Sequence, residues 1–133
     1  MSKPSTIDEP QRKAAPTGVL GEWRDLLERH AVVSCALEKA LAVHGIGLSE
    51  FETLERLVDA QCGNYRMSDL SGDIYLSQSA LSRAVARLER DGLVSRNMCA
   101  DDRRAVFVCL TDKGREVYET VLPTHREVLD RCL

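Results

Sequence analysis

The chain has 133 residues, 18 basic and 21 acidic side chains, a net charge of −3, and 44% apolar against 29% charged residues. That is one globular domain with enough core to fold without disulfides or a metal. No apolar run approaches the roughly 18 residues of a membrane span, and the opening MSKPSTIDEPQRKAAP has no secretory apolar stretch, so a cytoplasmic protein is expected with no membrane partner.

The sequence divides into an arm and three segments. Residues 1–18 hold three of the four prolines and almost no large apolar side chain, which predicts a disordered N-terminal arm. Residues 19–46 predict a helix over about 20–44. Leu20, Trp23, Leu27, Ser34, Leu37 and Leu41 recur at helical spacing, and Gly45 and Gly47 follow as stop signals. Between 31 and 43 only Glu38 and Lys39 are charged. So apolar a helix needs cover that a small domain cannot supply, which predicts packing against a second chain.

Residues 47–111 begin with a helix over about 49–60. Ser49 and Glu52 have capping-box spacing. Phe51, Leu54, Leu57 and Val58 form its apolar face, and Glu50, Glu52, Glu55 and Arg56 its polar one. Cys62, Gly63 and Asn64 predict a turn. Ser68 can cap a short helix over 69–74, Tyr75 and Leu76 turn the chain, and Ser77 can cap a longer helix over 78–91. In that helix Leu81, Val85 and Leu88 face inward, while Ser79, Ser82, Arg83, Ala86, Arg87 and Arg90 face outward. A short helix, a tight turn and a helix with a small, arginine-bearing outer face form a helix-turn-helix pattern. Strand-like runs at 93–98 and 105–110 flank a charged tip, Cys99 to Arg104, and predict a hairpin. Thr111 can cap a last helix from 112 to about 122. Pro123 is expected to interrupt it before the helical pattern resumes in 112–133. The fold class expected is mainly α with a small β-hairpin: a winged helix-turn-helix flanked by helices at both ends.

Charge is unevenly spread. Residues 77–104 carry six arginines against four acids, while residues 1–60 carry seven bases against ten acids. One short arginine-only segment on an acidic body suits local recognition of phosphates and guanine edges.

The phrases Leu88-Glu89-Arg90-Asp91-Gly92-Leu93-Val94-Ser95-Arg96, and Asp102-Arg103-Arg104 running to Leu110-Thr111-Asp112-Lys113-Gly114, resemble in order and spacing the MarR family of transcriptional regulators. The likeness covers about residues 45–120. It departs at Leu70-Ser71-Gly72, where the family carries Leu-Ala, so that helix is expected to be short. The family's long final helix also runs further than Leu133, so either the chain is truncated within that helix or dimerisation rests on the 20–44 helix and the residues at 112–133. The resemblance implies a homodimeric regulator, more often a repressor, that reads an inverted repeat in double-stranded DNA. It makes Arg104 the wing arginine, Asp102 its orienting acid and Arg103 a phosphate contact. It further implies a small-molecule effector in a cleft between dimer helices and DNA unit, for which Trp23, His30, His44, Tyr65 and Arg66 are candidates.

On the recognition helix, Ser77, Gln78, Ser79, Ser82, Arg83 and Arg87 are the candidate DNA contacts. The bland alternative is a solvated arginine face with local acid partners. Cys99, at the hairpin tip among charges, is a candidate redox site. The five cysteines (35, 62, 99, 109, 132) otherwise read as reduced, small apolar residues. A winged helix used only for protein contacts is the remaining alternative. No cofactor is expected. Three scattered histidines, no zinc spacing, no G-x-S-x-G and no glycine-rich phosphate loop argue against an enzyme.

Overall fold

The structure is a computed structural model, and it describes residues 17–60, 64–98 and 105–133. In chain order it contains α1 (Gly18–Ala42), α2 (Leu48–Asp59), β1 (Asn64–Arg66), α3 (Met67–Asp73), α4 (Gln78–Arg90), β2 (Val94–Met98), β3 (Val106–Leu110) and α5 (Asp112–Cys132). The N-terminal arm predicted at 1–18 lies outside the described residues up to 16. Among those described, no helix is long and apolar enough to cross a membrane.

The core sits where α2, α4, α5 and the sheet meet. Phe51, Leu54 and Leu57 of α2 are fully buried against Leu81, Val85 and Leu88 of α4, Val108 of β3, and Tyr118 and Val121 of α5. The i, i+3, i+4 and i+7 spacings read from the sequence thus become the packed faces. The Phe51 ring stacks on Tyr118 at 5.2 Å and on His125 at 4.5 Å. α1 and α4 close alike. Ile46 N–H donates to Leu41 and Gly45 N–H to Ala42; Leu93 N–H donates to Leu88 and Gly92 N–H to Glu89. Gly45 and Gly92 have φ of 75° and 77°, the left-handed residue such a closure needs. Ile46 and Leu93 then turn into the core.

Several elements depart from the sequence expectations. The expected hairpin is the larger part of a three-stranded antiparallel sheet, ordered β1-β3-β2. Asn64, expected in a turn, starts β1 and pairs with Cys109; three residues are too short to display alternation. α2 is capped at Gly47, not at Ser49. The Glu50 carboxylate accepts Gly47 N–H at 3.3 Å, while Ser49 O accepts the Thr53 hydroxyl at 2.8 Å. Glu50 therefore leaves the expected polar face and is buried. α3 starts at Met67, with Arg66 preceding it, rather than after a Ser68 cap. α5 runs through Pro123 unbroken. A proline inside a helix removes a hydrogen bond and costs about 3 kcal/mol; Pro123 lies on the exposed side, and the buried Tyr118, Val121, His125 and Val128 hold the helix in register on both sides of it.

The exposed apolar surface also lies elsewhere than expected. On α1 it begins before residue 31: Val19, Leu20, Trp23, Leu26, Leu27 and Val32 are each about half or more exposed, while Leu37 and Leu41 enter the core. The C-terminal part of α1 packs on α5, and Thr124 of α5 lies 2.9 Å from His44 Nε2.

At Gly114 a Cβ would lie 2.1 Å from the Leu93 carbonyl oxygen and 2.9 Å from Leu110 Cδ1, so α5 can cross there only without a side chain. Gly114→Ala is expected to cost at least about 2 kcal/mol in urea unfolding. His125 is buried, and its Nδ1 accepts an Arg126 N–H at 2.7 Å. Burial holds its pKa below the ordinary histidine value, and the Arg126 charge adds to this. Below about pH 6.5 the unfolded chain therefore takes up a proton that the folded chain refuses. The contribution of the neutral ring is complete above that pH and is lost as pH falls below it. The loss of unfolding free energy between about pH 7.5 and about pH 5.5 should be smaller for His125→Gln than for the natural chain.

Candidate nucleic-acid interface

α4 is held as an outward-facing rod. Its inner face, Leu81, Ala84, Val85 and Leu88, is buried, and Gln78, Ser79, Ser82, Arg83, Ala86 and Arg87 stand outside. Its start is capped as the sequence predicts: Ser77 Oγ accepts the Ala80 N–H at 3.1 Å and lies 3.3 Å from Ser79 Oγ. Short side chains over the first turn leave the backbone N–H groups accessible, and the helix dipole makes that end attractive to anions.

The arginines differ in what they touch. Arg87 donates to Glu50 at 3.3 Å, Arg90 lies against Asp91 at 3.4 Å, and Arg96 of β2 donates to Glu89 at 3.0 Å. Part of the arginine surface is thus neutralised, by Glu89 and Asp91 nearby in the chain and by Glu50, a distant partner that the sequence did not point to. The signal for Glu50 as a cap was present: it stands three residues after a glycine that ends a loop, a capping spacing that Ser49 and Glu52 repeat two residues on. Cys99, Asp102, Arg103 and Arg104, the expected wing tip and redox residue, lie outside the described residues. β2 and β3 lead to that tip in fixed register, with Met98 opposite Val106. Cys109 lies opposite Ser95, and its thiol donates to Asn64 Oδ1 at 2.9 Å.

Between α3, α4 and the start of β3 lies a groove of about 640 Å³, bordered by Arg66, Ser68, Gln78, Ser79 and Ser82. A second hollow of about 730 Å³ lies outside β1, beside Tyr65, Arg66, Asp69 and Asp73. Of the five candidate effector residues, Tyr65 and Arg66 come together there. The Tyr65 hydroxyl donates to Asp73, and that bond raises its pKa. Trp23 and His30 stand exposed on α1, His30 at 3.4 Å from Ser34 Oγ, and His44 follows the helix. Near His30, Glu52 has a raised pKa, first through burial and then through the neighbouring Glu55. Among the described residues no group of histidine, cysteine or acidic side chains could hold a metal ion.

Known proteins match this arrangement. The model of the MarR family matches residues 46–106. The structure of AbsC, a MarR family transcriptional regulator from Streptomyces coelicolor, is 32% identical with a TM-score of 0.78; the match covers 90% of this chain and 82% of that one. Sco3205, a MarR family transcriptional regulator from the same organism solved in complex with DNA, is 28% identical with a TM-score of 0.79, covering 91% and 78%. The transcriptional repressor MprA of Escherichia coli is 31% identical over 91 residues, 68% of this chain and 52% of that protein. The chain spans about half to two-thirds of the length of the curated relatives it matches.

The Ser77 cap carries a stability prediction. Ser77→Ala leaves the Ala80 N–H without its side-chain acceptor and should cost about 1 kcal/mol in thermal or urea unfolding.

Proposed function

The chain belongs to the MarR family of transcriptional regulators, and from that we propose that it is a sequence-specific double-stranded DNA-binding repressor acting as a homodimer. The observation that carries this reading is α4. It presents a capped N-terminus and an exposed row of Gln78, Ser79, Ser82 and Arg83, with Arg83 on the outer face and the buried side fully committed to the core. A helix with that outer face fits the major groove, where glutamine and arginine can bind base edges in pairs of hydrogen bonds. The Ser77 end holds a phosphate. The wing carries Arg104 into the minor groove, with Asp102 orienting it and Arg103 on a phosphate.

The homodimer rests on the apolar side chains of α1. Val19, Leu20, Trp23, Leu26 and Leu27 are exposed along one helix, and such a concentration marks a surface meant to be covered. A second copy of the chain, joined through α1 and the end of α5, covers it by two-fold symmetry. Repression follows from occupying a promoter and is relieved by a small ligand. The candidate places for that ligand are the surroundings of Trp23, His30, His44, Tyr65 and Arg66. Cys99 offers a thiol-based alternative for the signal, for which DNA binding that survives peroxide would be contrary evidence.

Selection of bound duplexes from a random pool should enrich an inverted repeat with half-sites about 10 bp apart, centre to centre. Against the selected duplex, Arg83→Ala and Arg104→Ala should each weaken binding by about 1–3 kcal/mol in fluorescence anisotropy titrations. Enrichment of a single half-site would refute the dimer. Unchanged affinity in both variants would refute this interface, leaving a winged helix used for protein contacts.

A further inference from the structure

Arg87 stands one turn beyond Arg83, on the same outward side of α4, yet its guanidinium is turned back toward the body. Its Nη1 donates to Glu50 Oε2 at 3.3 Å. The Arg87 side chain is 57% exposed and that of Glu50 only 11%. Glu50 is one of three buried polar or charged residues among those described. Its other oxygen accepts the Gly47 N–H that begins α2. The adjacent Leu48 N–H donates at 3.0 Å to Glu38, a side chain of α1. The first turn of α2 is therefore fixed from two sides. Glu38 ties it to α1, and Glu50 ties it to α4.

From this geometry we infer that Glu50 and Arg87 are positioning residues for DNA recognition, setting the angle at which α4 is presented, and that Arg87 is not itself a DNA contact. The inference rests on the DNA-binding reading above. The apolar contacts between α2 and α4 resist separation, and interdigitated side chains define their crossing angle only to within about 15–20°. A hydrogen-bonded ion pair is directional, and a carboxylate already aligned by a helix N-terminus has little freedom left. The pair is placed 37 residues apart in sequence, across the very interface whose rotation would swing Gln78, Ser79, Ser82 and Arg83 relative to a base pair. A bridge with one buried partner is poor evidence for added stability and suits a role in specifying geometry.

The test compares the natural chain, Glu50→Gln, Arg87→Gln and the double variant on the duplex selected by the natural chain and on a scrambled duplex. Binding is measured at several salt concentrations, at a temperature where circular dichroism shows every protein folded. Glu50→Gln keeps an acceptor for Gly47 N–H, and Arg87→Gln alters a half-exposed position. The expected result is a loss of about tenfold in affinity for the selected duplex in each single variant, with the double variant no worse than either. Affinity for the scrambled duplex and the salt dependence should stay at their original values. Two results would overturn the inference while the DNA-binding reading stands. If Arg87→Gln weakens both duplexes alike and lowers the salt slope by about one per protomer while Glu50→Gln binds normally, Arg87 is a phosphate contact. If both variants melt at lower temperature but bind the selected duplex normally when folded, the pair is only structural. If the natural chain selects no duplex, the DNA-binding reading falls first and takes this inference with it.

Discussion

The constraint on which the rest depends is the burial of one face of α2. Phe51, Leu54 and Leu57 are all fully buried, each contributing about 1.5–3 kcal/mol relative to exposure. α4, α5 and β3 touch the body through this face, so all three are held to the molecule by sharing it. The stacking of Phe51 with both Tyr118 and His125 extends the contact along α5, which is why that helix stays continuous through Pro123. The outward direction of Arg83 and Ser82 is a by-product: the inner side of α4 is fully used, and these residues occupy what is left.

Polar groups supply direction where apolar packing supplies only attraction. Glu55 accepts from both Tyr118 Oη and Arg126 of α5, and burial together with Glu55 raises the Tyr118 pKa. Thr111 Oγ donates to the Gly92 carbonyl at 2.7 Å and accepts the Gly114 N–H at 3.0 Å, pinning the start of α5 to the end of α4. Together with Glu50 on Arg87, these bonds tie α2, α4 and α5 into one frame. Among the described residues no buried side-chain polar atom lacks a partner, as expected of polar contacts that fix an arrangement without desolvation losses.

The same chain leaves two surfaces of opposite character. α1 presents large apolar side chains, Trp23 and Leu27 among them, while α4 presents serine, glutamine and arginine. Both are helices with a buried stripe, but α1 buries only Gly21, Leu37 and Leu41 along 25 residues. It reaches well past the body that it joins. The apolar arm and the arginine-bearing rod are thus separate surfaces of one chain, and the proposed dimer and DNA interfaces rest on that separation.

Legible in the sequence were the order of the helices and of the hairpin strands, the inward residues of α4, the Ser77 and Thr111 caps, and the glycine stop at Gly45. All of these are local. Helical spacing, caps and left-handed residues act within a few positions and are readable there. The candidate DNA contacts on α4 were legible for the same reason, since burying one helix face exposes the other. Whatever depends on a distant partner was settled only by the folded chain. β1 exists because β3 offers an edge to Asn64, Tyr65 and Arg66. Glu50 is buried because α4 brings Arg87 to it from 37 residues away. Pro123 is tolerated because α5 has Phe51 to lie against, and Gly114 is required because the Leu93 carbonyl passes within 2.1 Å of where a Cβ would stand. Free energies of this kind arise from contacts between segments far apart in the chain, and a local pattern of residues does not contain them.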